Sequence, residues 1–166
     1  MTRSDRIIKW TAYGVALAVI TIVNYYLLGL LPIALPLMLP MAAVAAGTLE
    51  NPKFGAGFGM MAGLLLSILG HRGLLCIPIL SAAGCLCAIL ARHVRQDLVG
   101  HFIYSSVLAL LWEFAQVLWL WTGKTAPLPQ LLRVALPELL WTIIFTIPVY
   151  GVFRFCCVRY GRIYHE

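Results

Sequence analysis

The chain has 166 residues, of which 62% are hydrophobic and 11% charged, against soluble averages of about 45–50% apolar and about 25% charged. Those proportions exclude an ordinary soluble domain and predict a single integral membrane domain over residues 1–166, an all-α bundle of transmembrane helices. The net charge of +6 does not point to nucleic acid, because the basic residues cluster at segment ends and form no basic stripe.

In chain order, a basic opening, MTRSDRIIKW, leads into a first apolar run from Trp10 to Leu31. The opening resembles the charged start of a signal peptide, yet no convincing cleavage site precedes the next apolar run, so the segment is read as a retained helix. The second run, Pro32 to Leu49, carries Pro32, Pro36 and Pro40, and each removes a backbone donor that a spanning helix would use. It is expected to be short or broken and to lie inside the bundle or re-enter, since freed backbone groups at membrane depth need protein or a watery cavity to cover them.

The third run, Phe54 to Leu69, holds Gly55, Gly59, Gly63 and Ser67 four residues apart. A line of small residues lets two helix backbones approach in lipid, where close packing rather than the hydrophobic effect drives association. The line serves helix packing inside the bundle or an interface with a partner. The fourth run, Leu74 to Leu90, contains Cys76, Cys85 and Cys87, with no second cysteine pair or histidine at zinc-ligand spacing. With Cys156 and Cys157 at the end of another apolar segment, no disulfide and no metal site is expected.

The fifth run, Leu98 to Trp121, carries Glu113 and Gln116, three residues apart and therefore on one helix face. An ionisable group inside the membrane is a candidate for a proton relay or a substrate contact. No lysine, arginine or histidine is expected inside an apolar run to act as a second station, which favours an interhelical tie. The sixth run, Val134 to Phe155, is expected to start at Pro137 and Glu138, where an acid suits the positive end of the helix dipole. His71, His93, His101 and His165 fall in loops or at helix ends and assemble no catalytic constellation, and no cofactor is expected. Trp10, Trp112, Trp119, Trp121 and Trp141, with Tyr25, Tyr26 and Tyr150, are read as interface anchors.

Six runs give six crossings, or five if the second does not cross. With six and the N-terminus inside, the cytoplasmic side holds Arg3, Arg6, Lys9, Lys53, Arg92, Arg95, Arg154, Arg159 and Arg162, and the outside holds Arg72, Lys124 and Arg133. That balance of nine to three follows the positive-inside rule. Five crossings would move the C-terminal arginines outside and leave six against six.

The order of these features is a proline-broken second segment, then ENPKFGAGFGMMAGLLLSILG, a small-residue fourth helix, and a last helix, LPELLWTIIFTIPVYGVFRF, with a basic tail. It resembles the MreD family of bacterial rod-shape-determining membrane proteins, with Pro137 and Pro148 in the places of that family's two late prolines. The resemblance covers nearly the whole chain on loose motifs. One departure is Ser67, where the family often has an aspartate.

The resemblance implies a fold similar to the substrate-binding components of energy-coupling-factor vitamin transporters. It also implies a non-enzymatic role in the cell-elongation machinery of the bacterial cytoplasmic membrane, with both termini cytoplasmic. The implied partners are an MreC-like bitopic membrane protein and, through it, peptidoglycan synthases and the actin-like MreB. The alternative is a substrate-binding component of a vitamin or small-solute importer, with Glu113 and Gln116 lining its pocket.

Overall fold

The computed structural model describes residues 3–30, 36–70, 73–93, 98–123 and 127–160. Pro32, His71 and His165 lie outside these residues, as do the flanking charges Arg72, Arg95, Lys124 and Arg162. Every regular element among the described residues is helical: α1 (Arg3–Ile22), α2 (Met38–Leu49), α3 (Pro52–Leu69), α4 (Cys76–His93), α5 (Leu98–Thr122) and α6 (Leu128–Tyr160). A π-helical turn, Val23–Leu27, and a 3-10 turn, Leu28–Leu30, extend α1. Five segments are long and apolar enough to cross a membrane, Ile7–Leu30, Pro52–Leu69, Cys76–His93, Leu98–Thr122 and Leu128–Arg159. The chain is a multi-pass, all-α membrane protein.

The exception is α2, whose 12 residues span about 18 Å at 1.5 Å per residue, well short of a hydrocarbon core of about 30 Å. Its residues from Met38 to Thr48 are all buried, and it packs against α3, α4, α6, α5 and α1. The proline-broken segment is thus a short interior helix. Small side chains explain how it is enclosed on all sides: the run Ala42, Ala43, Val44, Ala45, Ala46, Gly47 lets the other five helices close around it.

Both ends of α2 are tied to α6. At its start, the Leu37 N–H donates to Thr142 Oγ1 at 2.9 Å, and that hydroxyl donates to the Glu138 carbonyl at 2.7 Å. At its end, Glu50 Oε1 lies 3.9 Å from Cys157 Sγ. Thr142 and Cys157 are about 22 Å apart along α6 by helical rise, close to the length of α2. Glu50 also pairs with Lys9 of α1, so the first turns of α1 and the last turns of α6 sit at the same end of the bundle. Thr142→Val is expected to cost about 1–3 kcal/mol, because the buried Leu37 N–H loses its acceptor. Thr146→Val should cost less, since the Thr146 hydroxyl bonds to the Thr142 carbonyl of its own helix. Denaturant titration of helicity in mixed micelles distinguishes the two.

The last helix corrects the sequence reading. It begins at Leu128 rather than at Pro137 and Glu138, and both Pro137 and Pro148 lie inside it. A mid-helix proline removes one backbone bond, but in a membrane bundle neighbouring helices and threonine hydroxyls re-satisfy freed groups, so the helix continues. Two aromatic assignments also change. Trp112 and Tyr150 are buried in the core rather than placed at an interface, while Tyr26, Trp119 and Trp121 are exposed.

Candidate functional site

The glycine line faces inward. A Cβ on Gly59 would collide with the Leu80 carbonyl and come within 2.9 Å of Ser81 Cα, and one on Gly63 would lie 2.7 Å from Ile77 Cα. Gly55, Gly47 and Gly84 meet at one point, where α3, α2 and α4 touch backbone to backbone. Gly55, Gly59 and Gly63 are buried in this seam, and Ser67, at the far end of the line, is half-buried. The line therefore joins α3 to α4 within the chain.

At the end of the bundle shared by α1 and α6, Lys9 and Glu50 form a buried ion pair. Tyr13, one turn after Lys9, donates its hydroxyl to Glu50 Oε1 at 2.8 Å, and its ring faces Lys9 Nζ at 5.8 Å. Aromatic rings seal the pair: Tyr13 stacks on Phe153 at 5.5 Å, Phe58 meets Phe153 edge-on at 5.4 Å, and Trp10 lies 4.5 Å from Phe54. With Lys9, Tyr13 and Cys157 around it, the carboxylate ties α1, α2 and α6 together. Such a pair is costly to bury and more costly to break.

The sequence reading treated Lys9 as one of nine flanking charges and did not single out Glu50. The available signal was the four-residue step from Lys9 to Tyr13, which puts both on one helix face.

His101, which the sequence places at a helix end, is a second residue whose surroundings the sequence does not show. It lies in the first turn of α5 yet is only 1% exposed. Its Nε2 is 3.2 Å from Ser105 Oγ, its Nδ1 is 3.4 Å from Thr48 Oγ1, and its ring stacks on Tyr150 at 4.4 Å. A neutral imidazole, with one donor and one acceptor, suits two hydroxyls. The cluster pins the start of α5 to the end of α2 and to α6.

Glu113 is buried and Gln116 half-buried on α5. Neither touches the Lys9–Glu50 pair in any bond described above, and neither lines the cavity at the other end of the bundle. That cavity, of about 100 Å³, is bounded by Asn24, Tyr25, Pro36, Leu37, Leu39, Leu66, Gly70 and Glu138. Glu138 thus borders the cavity rather than capping a helix. Among the described residues, no group of three or more histidine, cysteine or acidic side chains could hold a metal ion. No protein-family model, curated protein or solved structure matches the chain.

Proposed function

We propose that this chain is a non-enzymatic, MreD-like component of the bacterial cell-elongation machinery that binds an MreC-like bitopic protein and helps organise lateral wall synthesis. The observation that carries the reading is the order of features along the chain: a short proline-broken helix at the centre, a glycine-rich third helix, a small-residue fourth, and two prolines within the last. In this reading α2 counts as a crossing, giving six, and the shared end of α1 and α6 is cytoplasmic. The Lys9–Glu50 pair ties α1 to α2 and the glycine seam joins α2, α3 and α4, close ties that suit a platform more than a carrier that must open.

The importer alternative fits less well. Pockets for drug-sized ligands occupy about 300–1,000 Å³, against about 100 Å³ for the cavity described above, and Glu113 and Gln116 do not line it.

Co-expression with an MreC-like protein should give a complex that survives detergent extraction and affinity purification. Substitutions should target lipid-facing positions such as Phe114 and Leu118 of α5, which are exposed, because the glycines are spent within the fold. Failure of the two proteins to co-purify, with both made and folded, would reject the reading.

A further inference from the structure

We infer that His101 is an acid-sensitive latch: a second proton on its imidazole disrupts the run of hydrogen bonds that holds the start of α5 against the end of α2. The direction of that run is set by Thr48. Its one hydroxyl hydrogen is given to the Ala45 carbonyl at 3.0 Å, so toward His101 Nδ1, 3.4 Å away, Thr48 Oγ1 can only accept. Nδ1 therefore carries the hydrogen of the neutral ring, and Nε2 offers its lone pair. Ser105 Oγ, 3.2 Å from Nε2, donates to it. Both ring nitrogens are committed, in opposite senses.

A second proton has one place to go, the Nε2 lone pair that the Ser105 hydroxyl already uses. Either Ser105 turns its hydroxyl round or the ring moves, and the new charge sits where water does not reach: His101 is 1% exposed and Ser105 0%. Burying such a charge is costly. The face of Tyr150, stacked on the ring at 4.4 Å, offers a cation–π contact, which is weaker than the hydration given up.

Among the described residues, the charged groups on the neighbouring elements do not offset it. Glu50, two residues beyond Thr48, is held by Lys9 and Tyr13 and lies beside the Cys157 thiol of α6. Arg154, one turn beyond Tyr150 on α6, and Arg92 and His93 at the end of α4 are exposed and basic. On α5 itself the next acid, Glu113, is about three turns further on. Arg95 and Asp97, just before α5, lie outside the described residues, so the test must register a carboxylate that pairs with the ring. The cost is relieved when the first turns of α5 part from α2 and α6 and admit water. This inference is independent of the proposed function, because it holds whichever partner the chain binds.

The test uses the full chain in mixed micelles and compares it with His101→Gln, whose amide keeps a donor and an acceptor for the two hydroxyls but takes up no proton. Denaturant titration at a series of pH values reads the unfolding constant of each. An imidazole in water gains its proton near about pH 6.5, so below that value the unfolded chain holds one proton more than the fold, and the fold is favoured less as pH falls. The parent's unfolding constant, divided by the variant's, is expected to rise by up to about tenfold per pH unit below about pH 6. Other titrating groups cancel in that ratio. A ratio that stays constant with pH overturns the inference, and pairing of the charged ring with a carboxylate such as Asp97 would give that result. Should the variant fail to fold, nitrogen NMR of the histidine-labelled parent decides. The ring that contacts Tyr150 should show the Nδ1–H form at neutral pH and should charge only as that contact is lost. A ring with its hydrogen on Nε2, or a charged ring still stacked on Tyr150, overturns the inference.

Discussion

Gly59→Ala is expected to destabilise the bundle by about 1–3 kcal/mol or more, while Gly57→Ala, the same change two residues away, leaves it as stable or slightly firmer. The new methyl at Gly59 would meet the Leu80 carbonyl group and Ser81 Cα, all backbone atoms that cannot rotate aside, so α3 and α4 must move apart. At Gly57 nothing lies within 4 Å, and alanine is the better helix former by roughly 1 kcal/mol. Separating α3 from α4 also loosens α2, because Gly47, Gly55 and Gly84 share one contact. Denaturant titration in mixed micelles measures both variants against the parent. Equal stability of the two would mean that α3 and α4 are not seated backbone to backbone.

Glu50→Ala is expected to cost about 3–5 kcal/mol, the usual penalty for leaving a buried charge uncompensated. Lys9 is only 3% exposed, and the Tyr13 hydroxyl loses its acceptor in the same step. The double substitution Lys9→Met with Glu50→Gln should recover most of that loss. It removes both charges, keeps similar volumes, and leaves an amide oxygen for Tyr13. Strong non-additivity of this kind is the signature of a coupled pair. If Glu50→Ala unfolds at the same denaturant concentration as the parent, water reaches the site and the pair is not sealed by its aromatic neighbours.

How far the sequence foretold this molecule depended on whether a residue's role was local. The apolar runs and the glycine spacing are local patterns, so the membrane class, the five long helices and the packing line could be read directly. The enclosed second helix was legible for the same reason, since Pro36 and Pro40 leave few spanning options. The true start of α6 was not, because Pro137 fits a first helical turn as readily as a tolerated interior position, and only tertiary support decides between them.

The Lys9–Glu50 pair was hidden by distance: the two residues lie 41 positions apart, and a lysine just before an apolar run looks like any flanking charge. His101 was misread because a helix end in sequence need not be a surface in space. Here α2 and α6 cover it. The cavity was out of reach altogether, being formed by residues of α1's extension, α2, α3 and α6.

The enclosure of α2 sets an order of assembly. When α2 leaves the ribosome it is too short to rest stably across lipid, and its lasting partners have not been made. Gly84 of α4 and His101 of α5 follow later, and the hydroxyl that receives the Leu37 N–H belongs to a residue 105 positions further on. Insertion of the first helices therefore leaves an unfinished centre, and α6 closes it at both ends. Until that last helix arrives, α2 is held along its flank by the glycine contacts with α3 and α4, while its first N–H still lacks the acceptor that α6 supplies.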